Sequence, residues 1–250
     1  MIIFNYFKFK FTPSKYKFSK YQLGILETSS SSWLKTSLIL NEEDVWALSE
    51  MIQTSDGNLL YRASTHGFRS TAFHVHCDGK GETITIIKTN TNYVFGGYAS
   101  SAWNSSCAYI ADNNAFIFNL RRNGILDAQK FTIKDPSKAL IGHHFYGPIF
   151  GGGNGNALSK YCYRCGYAVS YECGHFYNFR YIPFESSESG CDIFIASDSN
   201  SSYNCETNIG QSYECPDDHI YGEQNSINYL PGCKKDWLTT EIEVYQIIRN

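Results

Sequence analysis

The chain has 250 residues and a net charge of −3, from 21 Lys and Arg against 24 Asp and Glu. This balance argues against the basic face that nucleic-acid-binding proteins carry, so we expect no nucleic-acid partner. Hydrophobic residues make up 42% of the chain and aromatic residues 16%. They leave material for a buried core and favour β-sheet, because aromatic side chains suit a half-buried pleated surface.

The N-terminal segment is basic and aromatic. Five lysines interleaved with phenylalanines precede Glu27, the first acid: Lys8, Lys10, Lys15, Lys17 and Lys20. We predict that residues 1–32 form a flexible segment that ends in a Ser-rich linker, and that residues 33–250 form one domain. Residues 1–26 either make peripheral contact with an anionic membrane, or are a mobile basic arm or the product of a start codon placed too far upstream.

The cellular compartment is predicted from two features, the lysines that interrupt the apolar start of the chain and the length of its apolar runs. Lys8 and Lys10 break the apolar start before a signal sequence can form, and no run of about 18 apolar residues could span a membrane. We therefore expect a cytoplasmic protein in which most of the nine cysteines are reduced thiols.

Two helices are predicted near the start of the domain. Asn41 is a suitable cap for the first, because three acids follow it in the first turn, where the helix dipole favours negative charge. Asp56-Gly57 closes this segment with a turn, and Ser70 caps a short second helix that runs through His76. Four apolar residues line one face of the first helix at helical spacing: Val45, Leu48, Met51 and Ile52.

The strands predicted along the chain are short and separated by turn residues. Residues 82–98 and the segment around Asn123-Gly124 each read as a hairpin. In 241–248 polar residues alternate with apolar ones, which predicts a strand with one face in water. The sequence thus predicts a mainly β fold with flanking helices (α+β), in which two antiparallel sheets pack as a β-sandwich. The other predicted strands are 115–120, 130–133 and 193–195.

Short motifs carry a resemblance over residues 59–248, and their order resembles that of the TLDc domain family of oxidation-resistance proteins. Its motif residues here are Gly67, Phe68, Phe73, His74, Cys77, Asp78, Gly79, Gly81, Phe95, Gly96, Gly97, Tyr98, Trp103, Gly151, Gly152, Asp192, Glu241 and Glu243. The resemblance implies a β-sandwich, protection against oxidative stress and binding to the vacuolar-type proton pump. It implies no agreed catalytic residue, so we expect a non-catalytic interaction module without a catalytic cofactor.

The chain departs from the family pattern between Gly153 and Asp192, where residues 154–190 form an apparent insertion. We expect a partly ordered loop rich in Tyr and Phe, or an error in the gene model. The insertion contains four side chains of the types that bind zinc: Cys162, Cys165, Cys173 and His175. Their tight spacing leaves a zinc site and unligated thiols as alternatives.

A thiol-based antioxidant or peroxide-responsive protein is the alternative function. Cys77 and Cys165 are its candidate redox thiols, since each lies near a basic residue. The competing interpretation is that Cys77 is a small buried hydrophobic residue. His74 is interpreted as a packed or hydrogen-bonded histidine, not a metal ligand. His143 and His144 have side chains suited to acid–base chemistry, but adjacency in sequence does not establish geometry.

Overall fold

A computed structural model describes residues 31–152, 191–216, 219–233 and 237–249. Residues 1–30 of the predicted basic segment and the predicted insertion at 154–190 lie outside the described residues. The helices are α1 Ser32–Thr36, α2 Glu42–Ile52, α3 Ala63–His66, α4 Ser70–Cys77 and α5 Gln224–Ile227. The strands are β1 Gly57–Arg62, β2 Thr83–Thr89, β3 Val94–Ala99, β4 Ala108–Ile110, β5 Phe116–Arg122, β6 Ile125–Thr132, β7 Leu140–Gly142, β8 Tyr146–Phe150, β9 Ile193–Ala196, β10 Glu206–Thr207 and β11 Thr239–Ile247.

Six strands form one antiparallel sheet in the order β1-β11-β2-β3-β5-β6. Both predicted hairpins are present in it, as β2-β3 and β5-β6. Asn123 and Gly124 connect β5 to β6 with φ values of 49° and 78°. These left-handed conformations suit the Asn-Gly pair and match the twist of the strands on either side.

The other five strands form a second antiparallel sheet in the order β10-β9-β8-β7-β4. It faces the first sheet, and one apolar core lies between them. The expected β-rich sandwich with flanking helices is confirmed. Side chains from both sheets build this core, among them Ile87, Phe95, Ile117, Ile141, Ile149, Phe150, Ile193, Ile195, Ile242 and Val244.

A second core covers the outer face of the six-stranded sheet, where α1 and α2 pack. Strand β5 divides its side chains between the two cores, because successive residues of a strand point to opposite faces. Phe116 and Phe118 meet the helices, whereas Ile117 meets the other sheet. The six-stranded sheet is therefore a middle layer. This makes the predicted wet face of β11 wrong: Glu241 is 7% exposed and Glu243 is fully buried.

The helix ends follow from local side-chain chemistry. Asn41 accepts a hydrogen bond from Asp44 N–H, and the Asp44 carboxylate accepts one from Asn41 N–H, so the predicted cap of α2 is a complete capping box. Ser31, placed in the linker by sequence, is buried and caps α1. Ser70 is the first residue of α4, one position after the cap. Among the described residues no helix is long and apolar enough to cross a membrane.

Candidate interaction surface

Helix α4 turns one face into the protein and one face outward. Its buried residues are Ser70, Phe73, His74 and Cys77, at the i, i+3, i+4, i+7 spacing of a single helical face. Val75 lies on the outward side and is 78% exposed. An apolar side chain thus stands on the surface of a helix whose polar His74 is buried.

His74 fastens α4 to the turn between β7 and β8. Its Nε2 lies 2.9 Å from the carbonyl oxygen of His143 and 3.0 Å from that of Tyr146. Carbonyl oxygens only accept hydrogen bonds, so Nε2 carries a proton. Nδ1 lies 2.8 Å from Asp78 Oδ1. The interpretation of His74 as a hydrogen-bonded histidine agrees with these contacts. They also hold Phe145, which is 47% exposed, at the same corner as α4.

Trp103 and Asp78 complete the support of this corner. The Trp103 indole N–H donates to Thr83 Oγ1 at 3.0 Å, and its ring packs edge-on against Phe73 and Phe150. Asp78 accepts a hydrogen bond of 2.7 Å from the hydroxyl of Ser105. The family-motif side chains of α4 and the Trp103 loop therefore meet in space.

We call the outward surface of this region the α4 corner. It combines exposed apolar and aromatic side chains with polar neighbours, a composition found at protein–protein interfaces. Its members are Val75, Ser105, Cys107, His144 and Phe145.

The motif carboxylate Glu243 is held inside the fold. One oxygen lies 2.9 Å from an Arg62 guanidinium nitrogen and accepts a 2.8 Å hydrogen bond from Leu38 N–H. The other accepts hydrogen bonds from the hydroxyls of Ser37 at 2.5 Å and Tyr245 at 3.2 Å. Glu243 thus ties the segment after α1 to β1 and β11, and its lone pairs are used in structural contacts.

Glu241 and Asp192 are held by backbone amides. Glu241 accepts from Ser64 N–H, and Asp192 accepts from three consecutive N–H groups, those of residues 210–212, at 2.8 to 3.0 Å. Gly151 lies against the Asp192 carboxylate with φ +76°, and a Cβ there would fall 2.0 Å from Oδ2. This close approach and the positive φ both require glycine at position 151.

Of the predicted redox and zinc-binding residues, one is buried in the structure and the others lie outside the described residues. Cys77 is fully buried, and burial raises the pKa of its thiol, which disfavours the reactive thiolate. Cys162, Cys165, Cys173 and His175 lie outside the described residues. The zinc site and the redox thiols therefore stay predictions.

Sequence reasoning missed two pairings. Nothing in the sequence pairs Arg62 with Glu243, which lies 181 positions away and binds it. Nor does the sequence pair Cys107 with His144, although the Cys107 sulfur lies 3.3 Å from His144 Nδ1. Two adjacent histidines after an apolar segment are the sequence feature that points to the second pairing. The register of β4 with β7, which brings Cys107 beside them, is visible only in the structure.

Comparison with known proteins gives one family match and several partial relatives. The model of the TLDc domain matches residues 33–248. TBC1 domain family member 24 of Xenopus tropicalis is 23% identical over 218 residues, covering 81% of this chain and 36% of that protein. MTOR-associated protein MEAK7 of Gallus gallus is 31% identical over 62 residues, and GTPase-activating protein skywalker of Drosophila melanogaster is 35% identical over 71. The matched parts span 13% and 12% of those two proteins, so the chain covers about a third or less of each of the three.

Proposed function

Because the chain belongs to the TLDc domain family, we propose that it is a cytoplasmic, non-catalytic interaction module that binds a protein partner through the α4 corner. The partner we propose is the soluble sector of the vacuolar-type proton pump, and the biological role is resistance to oxidative stress. The names of the relatives describe those proteins and do not identify a partner for this chain.

One observation carries this proposal. The ionisable motif side chains His74, Asp78, Asp192, Glu241 and Glu243 all bond to structural partners. Hydrogen bonds of this kind position the backbone. Two of these side chains, His74 and Asp78, support the α4 corner, whose exposed apolar side chains suit binding rather than turnover.

The α4 corner offers an aliphatic and an aromatic anchor for a partner. Val75 is 78% exposed and Phe145 is 47% exposed. Burying both against a partner would remove apolar surface from water at little cost, since neither needs a hydrogen bond. The polar side chains around them, Ser105 and His144, supply donors and acceptors that fix orientation.

The test is ATP hydrolysis by the purified vacuolar-type pump with this protein titrated in, and co-sedimentation followed in parallel. We expect saturable binding and a changed hydrolysis rate. The double variant Val75→Asp, Phe145→Asp should bind at least about 10-fold more weakly. The matched control is Ile125→Asp, a 72% exposed residue in the β5-β6 hairpin, which should bind as the wild type does.

Other outcomes point elsewhere. A lack of binding at micromolar concentration would exclude this pump as the partner, and unchanged binding by the double variant would exclude the α4 corner as the surface.

Peroxide consumption that disappears in Cys77→Ser or Cys165→Ser would support the thiol-based alternative. Binding to anionic liposomes that is lost on deletion of residues 1–26 and weakened by salt would support the predicted membrane contact.

A further inference from the structure

Three metal-ligating side chains meet at the end of the five-stranded sheet. Strands β4 and β7 are antiparallel, with Ala108 opposite Gly142. The next position outward on each strand is Cys107 and His143, so the register places them side by side. His144 follows directly, and its Nδ1 lies 3.3 Å from Cys107 Sγ. One ligand atom from each of the three residues lies within 4.8 Å of the other two.

We propose that Cys107, His143 and His144 form a binding site for a borderline-soft transition metal ion, for which Zn²⁺ is the reference ion. The site consists of these side chains alone and does not depend on the proposed partner. It also differs from the predicted zinc ligands of the insertion, none of which belongs to this cluster.

The donor set suits such an ion. Thiolate and imidazole are the ligands that Zn²⁺ uses most, at about 2.3 Å for sulfur and about 2.0 Å for nitrogen. Tetrahedral geometry at those bond lengths places a sulfur and a nitrogen ligand about 3.5 Å apart. The Cys107–His144 separation of 3.3 Å already matches this value, and the other separations, all within 4.8 Å, need to close by at most about 1.5 Å.

The backbone around the cluster is held in place before any ion binds. The 143–146 turn is fixed through its carbonyl oxygens by His74 Nε2, at 2.9 and 3.0 Å. Cys107 has a φ of 57°, a left-handed conformation that is costly for a residue other than glycine. Such strain is retained where the surroundings enforce it, and it is common at ligand sites.

The buried member of the cluster is held in place by its neighbours. His143 is fully buried and its ring stacks on that of His144, with centroids 5.2 Å apart. Its Nδ1 accepts a hydrogen bond of 3.3 Å from Phe145 N–H, which fixes the ring within the 143–146 turn.

The fourth coordination position would face solvent. His144 is exposed and Cys107 is partly exposed, so the cluster opens at the surface of the α4 corner. Three protein ligands with an open position leave room for water or for a ligand side chain from another protein.

The test uses the full chain with Cys162→Ser, Cys165→Ser and Cys173→Ser, which removes the other predicted ligand set. The reduced protein is titrated with Co²⁺, and the thiolate-to-cobalt charge-transfer band is followed. We expect one equivalent to bind and Zn²⁺ to displace it. The band should vanish in Cys107→Ser, and affinity should fall at least about 10-fold in His144→Ala.

The controls keep the result interpretable. His144 is exposed, so His144→Ala preserves the fold if Cys107→Ser does not, and thermal unfolding of each variant checks this. Cys233→Ser removes a partly exposed thiol outside the cluster and should leave the band unchanged. A charge-transfer band that is absent from the triple-Ser protein, or that persists in folded Cys107→Ser, would overturn the proposal.

Discussion

Glu243 and the α4 corner place reactive side chains in opposite surroundings. Glu243 is fully buried, and Arg62, Leu38 and two hydroxyls surround its carboxylate. At the α4 corner, Cys107 and His144 lie 3.3 Å apart within reach of solvent. Chemical type alone therefore does not mark function. A buried charge surrounded by donors holds the fold together, whereas an accessible pair is available to a ligand.

The largest loss of stability should come from a substitution of the buried Glu243. Glu243→Ala removes the carboxylate partner of the mostly buried Arg62 and the acceptor of the Leu38 N–H, so we expect the free energy of unfolding to fall by about 3–5 kcal/mol. Urea denaturation measures this. The matched control is Glu82→Ala, which breaks the more exposed pair with Arg249 and should cost at most about 1 kcal/mol. Equal losses in the two variants would contradict the distinction between interior and surface.

Gly151→Ala should give the next largest loss. A Cβ at this position would lie 2.0 Å from the Asp192 carboxylate, and the alanine would also have to adopt a φ of +76°. Overpacking and the left-handed backbone together should cost about 3 kcal/mol. Gly79→Ala is the control, since its φ is +71° but nothing lies within 4 Å of the added Cβ. That variant should lose only about 1–2 kcal/mol in the same denaturation experiment.

Changes at the α4 corner should have smaller effects on stability. Val75→Ser alters a side chain that is 78% exposed, so we expect a shift within about 0.5 kcal/mol of the wild type. Phe145→Ser also removes ring contacts with His143 and His144, so we expect a loss of about 1 kcal/mol. Thermal unfolding measures the change. A loss above about 2 kcal/mol in either variant would mean that the residue packs into the core, and the corner would no longer qualify as a free surface.

The smallest perturbation is a chemical label on the native protein. Burial raises the pKa of the Cys77 thiol, so almost no thiolate forms there near pH 8, whereas Cys107 is partly exposed beside His144. Brief alkylation followed by peptide mass spectrometry should therefore modify Cys107 before Cys77. Unfolding the protein first should remove the difference. Faster labelling of Cys77 in the folded protein would reverse the comparison.

Features that depend on near neighbours along the chain could be predicted from the amino-acid sequence. The cap at Asn41 and the turn at Asn123-Gly124 follow from side chains within three or four positions, and both are present in the structure. Ordered motifs over residues 59–248 identified the family, and with it the sandwich. The cap and the turn depend on local sequence, and the family match depends on many weak motifs in a fixed order. Neither requires knowledge of the tertiary contacts.

The burial of polar residues and the contacts between distant residues depend on how the whole chain packs, so the sequence did not reveal them. Polar and apolar residues alternate in β11, as in a strand with one solvent-exposed face. In the structure, however, the segment after α1 and Arg62 of β1 cover the face that carries Glu243. The meeting of Cys107 with His144 spans 37 positions and depends on the register of β4 with β7. Pairing register and layer order are properties of the whole fold, because they are set by the burial of many side chains at once.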